Sequence, residues 1–109
     1  MPTVYKVLGQ ANPAATTATT LYTVPASTSA VVSTVVICNQ TASAATFRLS
    51  VRPAGGAQTA AMYVAYDVTV GASDSTALTL GITMATTDVL TVYGSTATLS
   101  FTAFGSEIS

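Results

Sequence analysis

Side chains able to do chemistry are few in this chain, and their types already restrict what it does. It has no histidine, one cysteine (Cys38), three cations (Lys6, Arg48 and Arg52) and four scattered carboxylates. Without imidazole, most general acid–base and nucleophile–base arrangements lose their usual proton carrier. Cys38 ends an apolar run and reads as a small buried hydrophobe, the alternative being a reactive thiol without an imidazole partner. A lone cysteine makes no intrachain disulfide, and the ligand set for a metal site is missing. Asp74 and Asp88 fall in turn sequences, where Asp accepts local backbone N–H bonds. Ser73, Asp74 and Ser75 offer too few oxygens for calcium. Asp67 sits mid-strand and has two readings of equal weight: a salt bridge to Arg48 or Arg52, here between subunits, or a solvated face. Gly55-Gly56 follows a proline and precedes no helix, so no phosphate-binding fingerprint is present. Three cations are too few for a nucleic-acid surface. Asn39-Gln40-Thr41 matches a glycosylation sequon but reads as a turn. Catalytic, cofactor and metal residues are therefore expected to be absent, and the chain is read as a non-enzyme.

The tyrosines are more suggestive than any charged group. Tyr5, Tyr22, Tyr63, Tyr66 and Tyr93 are spread along the chain. A tyrosine ring buries area while its hydroxyl finds a partner, which favours interfaces. Tyr63 and Tyr93 fall on the expected outer faces of their strands and are candidates for a subunit contact or for stacking on a sugar. The plainer reading is a set of scattered, partly exposed tyrosines. The candidate contact residues are Tyr63, Tyr93, Arg48, Arg52 and Asp67.

The elements that must position these residues are strands. Threonine and valine favour strands, and no apolar stripe of helical period has useful length. In Phe47–Arg52, Phe47, Leu49 and Val51 alternate with Arg48, Ser50 and Arg52. In Tyr63–Val70 the pattern predicts Val64, Tyr66, Val68 and Val70 inside, with Tyr63, Ala65, Asp67 and Thr69 opposite. Thr98–Thr102 places Leu99 and Phe101 inward. Shorter alternations lie at Ala77–Leu80 and Val89–Tyr93, and weaker strands at Thr3–Leu8 and Thr20–Val24. Ala30–Cys38 is apolar on both faces and reads as a central strand. Asn12-Pro13, the segment from Pro25, Asn39–Ser43, Pro53–Gly56, Gly71–Ser75, Thr86–Asp88 and Gly94-Ser95 supply the turns. About eight short antiparallel strands in one domain of 109 residues predict an all-β fold, a single-domain β-sandwich or jelly roll. Residues 1–19 have two readings: an extended arm whose first strand pairs with a neighbouring subunit, or a local loop with that strand in its own sheet. The second is preferred.

Composition points outward from the fold. Half the residues are hydrophobic, 6% are charged, and the net charge is −1. Typical domains carry about 25% charged residues. A surface this poor in charge is weakly protected against association, so partners are expected to cover much of it. The chain lacks the composition of a disordered segment. It has no apolar stretch long enough for a membrane span. Its first residues lack the basic flank and apolar block of a secretory signal, so synthesis in the cytoplasm is expected.

Four stretches carry a family likeness: Thr19-Thr-Leu-Tyr-Thr-Val-Pro25, Val35-Val-Ile-Cys-Asn39, Ala65-Tyr-Asp-Val-Thr-Val70 and Phe104-Gly-Ser-Glu-Ile-Ser109. Through them the chain resembles, nearly end to end, small virion structural proteins of cyanophages and other aquatic phages. The motifs are not catalytic. The resemblance implies a part of the phage particle, with the virion as its location. Together with the composition, it leads to the expectation of a capsid decoration (cement) protein that stabilises the major capsid shell as a homo-oligomer, a trimer being favoured. Its partners would be the major capsid protein or other virion proteins, with no nucleic acid, membrane or cofactor. The alternatives are a tail, neck or fibre component and a host-surface glycan-binding module.

Overall fold

The structure, a computed structural model, describes residues 2–109. It is all-β, with strands β1 (Thr3–Ala11), β2 (Thr19–Thr23), β3 (Ser29–Asn39), β4 (Ala45–Arg52), β5 (Tyr63–Val70), β6 (Ser75–Met84), β7 (Val89–Gly94) and β8 (Leu99–Ile108). They form two four-stranded antiparallel sheets, ordered β1-β8-β3-β6 and β2-β7-β4-β5. The pairs β1–β8, β2–β7, β3–β6 and β4–β5 are nested, as though one long hairpin had been rolled over into two layers. Among the described residues, no helix is long and apolar enough to cross a membrane.

The core lies between the sheets. Val32, Val35 and Ile37 of β3 and Leu99, Phe101 and Ala103 of β8 face Phe47 and Leu49 of β4 and Leu90 and Val92 of β7, all buried. Phe47 and Phe101 meet edge to face across the layers, their centroids 6.1 Å apart. Burying each large apolar side chain contributes roughly 1.5–3 kcal/mol, and Phe47, Leu49, Leu99 and Phe101 are the ones that the period-2 pattern directs inward. The Ala30–Cys38 run is an interior strand as expected, with β8 on one side and β6 on the other. Cys38 departs from its expectation: it is half-buried, because it points to the outer face of the first sheet, which no other layer among the described residues covers.

Strand β5 corrects the sequence reading more substantially. Val64 and Tyr66, expected inside, are 48% and 56% exposed, while Ala65, expected outside, is buried. Two irregularities in the β4–β5 register cause this. Ser50 pairs with Tyr63 and Leu49 with Ala65, leaving Val64 as an extra residue. Phe47 pairs with Val68, so Tyr66 and Asp67 together oppose Arg48. A bulge places two residues against one and shifts the alternation. Asp67 adopts φ = 52°, a conformation that Asp tolerates better than most residues. Beyond the bulge, Val68 and Val70 face the core as expected.

Strands β6 and β8 are longer than the alternation predicts. In β6, Gly81 has φ = 63°, and a register shift separates the Val32–Ile82 and Thr34–Thr79 pairs. The legible pattern therefore stops at Leu80 although the strand continues. Further register shifts lie beside Leu8 in β1 and Ser33 in β3, so the irregularities line up across the first sheet. β1 pairs with β8 at the edge of its own sheet. There Gly9 comes so close to β2 that an added Cβ would stand 2.1 Å from the Leu21 carbonyl oxygen. Only glycine permits that approach between the layers.

The turns are tied by side chains. Asp88 Oδ1 accepts from the Ala54 N–H and Oδ2 from the Ala85 N–H, both at 2.9 Å. Asp74 Oδ1 accepts from the Ser75 N–H at 2.8 Å. Both aspartates thus accept local turn N–H bonds as expected, and Asp88 also ties its turn to the distant Pro53–Gly55 turn.

Candidate functional site

The two outer faces of the sandwich differ in chemistry. On the second sheet, β4 directs Arg48 outward between Tyr93 of β7 and the Tyr66–Asp67 bulge of β5. Its guanidinium carbon lies 4.2 Å from the centroid of Tyr66 and 4.4 Å from that of Tyr93. Arg48 also donates to Asp67, Nε to Oδ1 at 2.7 Å and Nη2 to Oδ2 at 3.3 Å. This two-point pair joins two strands of one chain, and the Asp67 hydrogen bond pushes the Arg48 pKa up. Tyr63 meets the Tyr66 ring edge-on at 4.9 Å. The cation and the carboxylate neutralise each other, so this face presents rings with little net charge.

Arg48, Asp67, Tyr93 and Tyr63 therefore converge on one patch. Arg52 does not join it: its Nη2 donates to the Gly55 carbonyl under the Pro53–Gly55 turn. Tyr66 is the central residue that sequence reasoning placed inside. One signal against that placement was available, because a tyrosine directed into an aliphatic core needs a hydroxyl partner and the pattern supplied none. Gln58 and Thr59 were also missed. They flank the patch from the β4–β5 connection, and a polar loop pair carries no periodic signal.

The outer face of the first sheet has a different composition. With Val32, Val35, Ile37, Phe101 and Ala103 inward, register assigns the outward rows. These are Tyr5, Ser106, Val31 and Thr83, then Val7, Phe104, Thr34 and Thr79, then Gln10, Thr102, Val36 and Ala77. No Lys, Arg, Asp or Glu occupies these rows. Tyr5 is 83% exposed, Val7 48% and Phe104 38%. A shallow, largely apolar groove of about 650 Å³ runs past Tyr5, Val7, Val31 and Phe104, with Lys6 also in its lining.

A third cluster joins the two sheets. The hydroxyl of Tyr22 in β2 donates to Glu107 of β8, and Lys6 of β1 reaches the same carboxylate at 2.9 Å. Burial and the Glu107 hydrogen bond push the Tyr22 pKa up, while the bonds from Tyr22 and Lys6 hold Glu107 below the usual carboxylate range. The cluster fixes one end of the sandwich. At the other end Asn39 is 2% exposed. Its amide is bonded to the carbonyls of Ser43, Val70 and Gly71, which accounts for the sequon as a structural turn.

Among the described residues, no three His, Cys, Asp or Glu side chains gather as a metal site would require. No protein-family model matches this chain, and no curated protein matches it as a relative.

Proposed function

We propose that this protein is a non-enzymatic structural component of a phage virion, a decoration protein that binds the major capsid shell as an oligomer. The observation that carries the reading is the outer face of the first sheet. It presents tyrosine, valine, phenylalanine, threonine and serine without an ionised group in its rows. Four strands about 4.8 Å apart and about nine residues long give a face on the order of 600 Å². The apolar part of it, somewhat over half, is as large as the biggest apolar patches that soluble domains leave open, which are often functional. The ionised group in the groove lining, Lys6, is already paired with Glu107, so docking on this face desolvates little unpaired charge.

Magnitudes favour an oligomer. With somewhat over half of the face apolar and about 25 cal/mol per Å², covering it contributes roughly 8 kcal/mol. The cost of associating two bodies is about 4–15 kcal/mol. One contact therefore roughly breaks even, while several linked contacts bind firmly. A cyclic oligomer, a trimer in our reading, supplies them. The unpaired edge of β1 lies beside the apolar groove and is guarded by one cation, Lys6, already engaged by Glu107. Such an edge suits subunit pairing. The nested strand order further supports reading the sandwich as a jelly roll, an architecture of viral capsid and lectin domains, although a fold alone does not assign a role.

Copy number in purified particles tests the reading. Quantitative mass spectrometry is expected to find hundreds of copies per virion, and rebinding to stripped shells is expected to be lost in Phe104→Asp. A dozen copies or fewer would assign the protein to the tail, neck or fibre instead. Absence from the particle would overturn the virion role.

A further inference from the structure

The second sheet's outer face carries a cleft of different chemistry. Tyr63, Tyr66, Gln58, Thr59 and Ala60 line about 460 Å³. This volume is within the range of small-molecule sites. The Tyr66 ring packs on the Arg48 guanidinium, which is itself stacked on Tyr93 and tied to Asp67, and Tyr63 meets the ring edge-on. The ring is thus set in place before any ligand arrives, which lowers the ordering cost of binding.

The polar groups of the cleft are partly engaged and partly open. Gln58 Oε1 accepts from the Ser50 hydroxyl at 2.7 Å, and Nε2 donates to the Thr59 carbonyl at 3.0 Å. The amide is thereby oriented, with a second N–H and a second lone pair still available. Among the described residues, the side-chain hydroxyls of Thr59, Tyr63 and Tyr66 make no hydrogen bond. No residue lining the cleft is charged.

We propose that this cleft binds a neutral saccharide, a ligand function additional to shell attachment. A pyranose ring has an apolar C–H face to lie against the Tyr63–Tyr66 pair and equatorial hydroxyls for the Gln58 amide and the free hydroxyls. A purely apolar ligand would strip water from that amide without replacing its hydrogen bonds. An anionic ligand would find no free cation, since Arg48 already serves Asp67. The two sheets pack face to face, so their outer faces point in opposite directions. A protein attached to a shell through its first sheet would turn this cleft toward the surroundings.

One ring on one shelf binds with a Kd on the order of 1 mM, and repeated display strengthens the attachment. Isotope-labelled wild-type protein titrated with the methyl glycosides of glucose, galactose, mannose and N-acetylglucosamine tests the proposal by NMR, with sialic acid as the acidic comparator. At least one neutral sugar is expected to shift the Gln58 side-chain amide and the backbone signals of residues 58–66. Tyr66→Ala is expected to weaken that sugar at least tenfold, and the wild-type map stands even if the variant fails to fold. Absence of shifts in this segment with every neutral sugar would overturn the proposal, as would stronger binding of sialic acid. The assay needs no capsid, so its failure leaves shell attachment untouched, and a failure of shell attachment leaves this result standing.

Discussion

Replacing Asn39 is expected to loosen three connections at once. Its Nδ2 donates to the carbonyls of Ser43 at 2.9 Å, Gly71 at 3.2 Å and Val70 at 3.3 Å. Its Oδ1 accepts from the Thr41 N–H at 3.2 Å and the Thr98 hydroxyl at 3.3 Å. Counting the three bonds of 3.2 Å or shorter at about 1 kcal/mol each, Asn39→Ala should cost about 3 kcal/mol. At about 4–8 °C per kcal/mol, the midpoint should fall by at least ~12 °C. Asn39→Asp is nearly isosteric but turns a donor into an oxygen facing carbonyl oxygens in a buried site. An uncompensated buried charge costs about 3–5 kcal/mol, so at pH 7 this variant should be less stable than Asn39→Ala. The pH dependence has a definite sign. Burial against carbonyls raises the introduced carboxyl's folded pKa above its unfolded value of about 3.9. The charge penalty is then absent below that value and grows as pH rises through the folded pKa. Urea denaturation of both variants between pH 3.5 and 7 measures the difference. Equal stability of the two variants across that range, or an Asn39→Ala variant as stable as wild type, would refute the assignment of Asn39 as a buried clamp.

Other perturbations separate the parts of the structure. Gly9→Ala would set a methyl group against the Leu21 carbonyl; such overpacking costs about 1–3 kcal/mol, and a wild-type denaturation midpoint would contradict the close approach of β1 to β2. Glu107 is held below its usual pKa of 4.5 by Tyr22 and Lys6; its stabilisation is present above that value and is lost as pH falls through the folded pKa, so acid unfolding should be shallower in Glu107→Gln. Tyr22 is shifted the other way, so its contribution is present below the usual value of 10.0 and is lost as pH rises through its higher folded pKa; alkaline denaturation of Tyr22→Phe should lack that limb. Arg48→Lys keeps the charge but loses the two-point pair and the planar stack; the fold should persist while the Tyr66 ring gains mobility, measured by aromatic NMR relaxation.

Sequence patterning was most informative where a residue had one physical job. Phe47 and Leu49, or Leu99 and Phe101, sit in unbroken alternations, and burial enforces the phase because a one-residue slip would expose them. Asp74 and Asp88 also read correctly for their bonds to Ser75 and Ala85, since Asx bonding in a turn is local, whereas the Asp88 bond to Ala54 joins two turns far apart in the chain. The reading failed at Val64 and Tyr66, where extra residues in β5 reset the phase, and at Leu80-Gly81, where the strand continues through a positive φ. A bulge is stabilised by the strand opposite it, which no local window contains. The candidate cluster was half legible for the same reason: the Arg48–Asp67 pairing was among those considered, but its joining with Tyr66 depends on that bulge.

The order of residue types alone determined that this is a β-sheet protein with little ionisable chemistry, because strand propensity, alternation and the absence of histidine act locally or by count. Tertiary structure decided which strands neighbour each other and where the few charges are neutralised. It set Tyr66 on Arg48 and gathered the uncharged residues of β1, β8, β3 and β6 onto one face. Those outcomes rest on register between segments far apart in the chain, where each choice is set by the packing of both layers together.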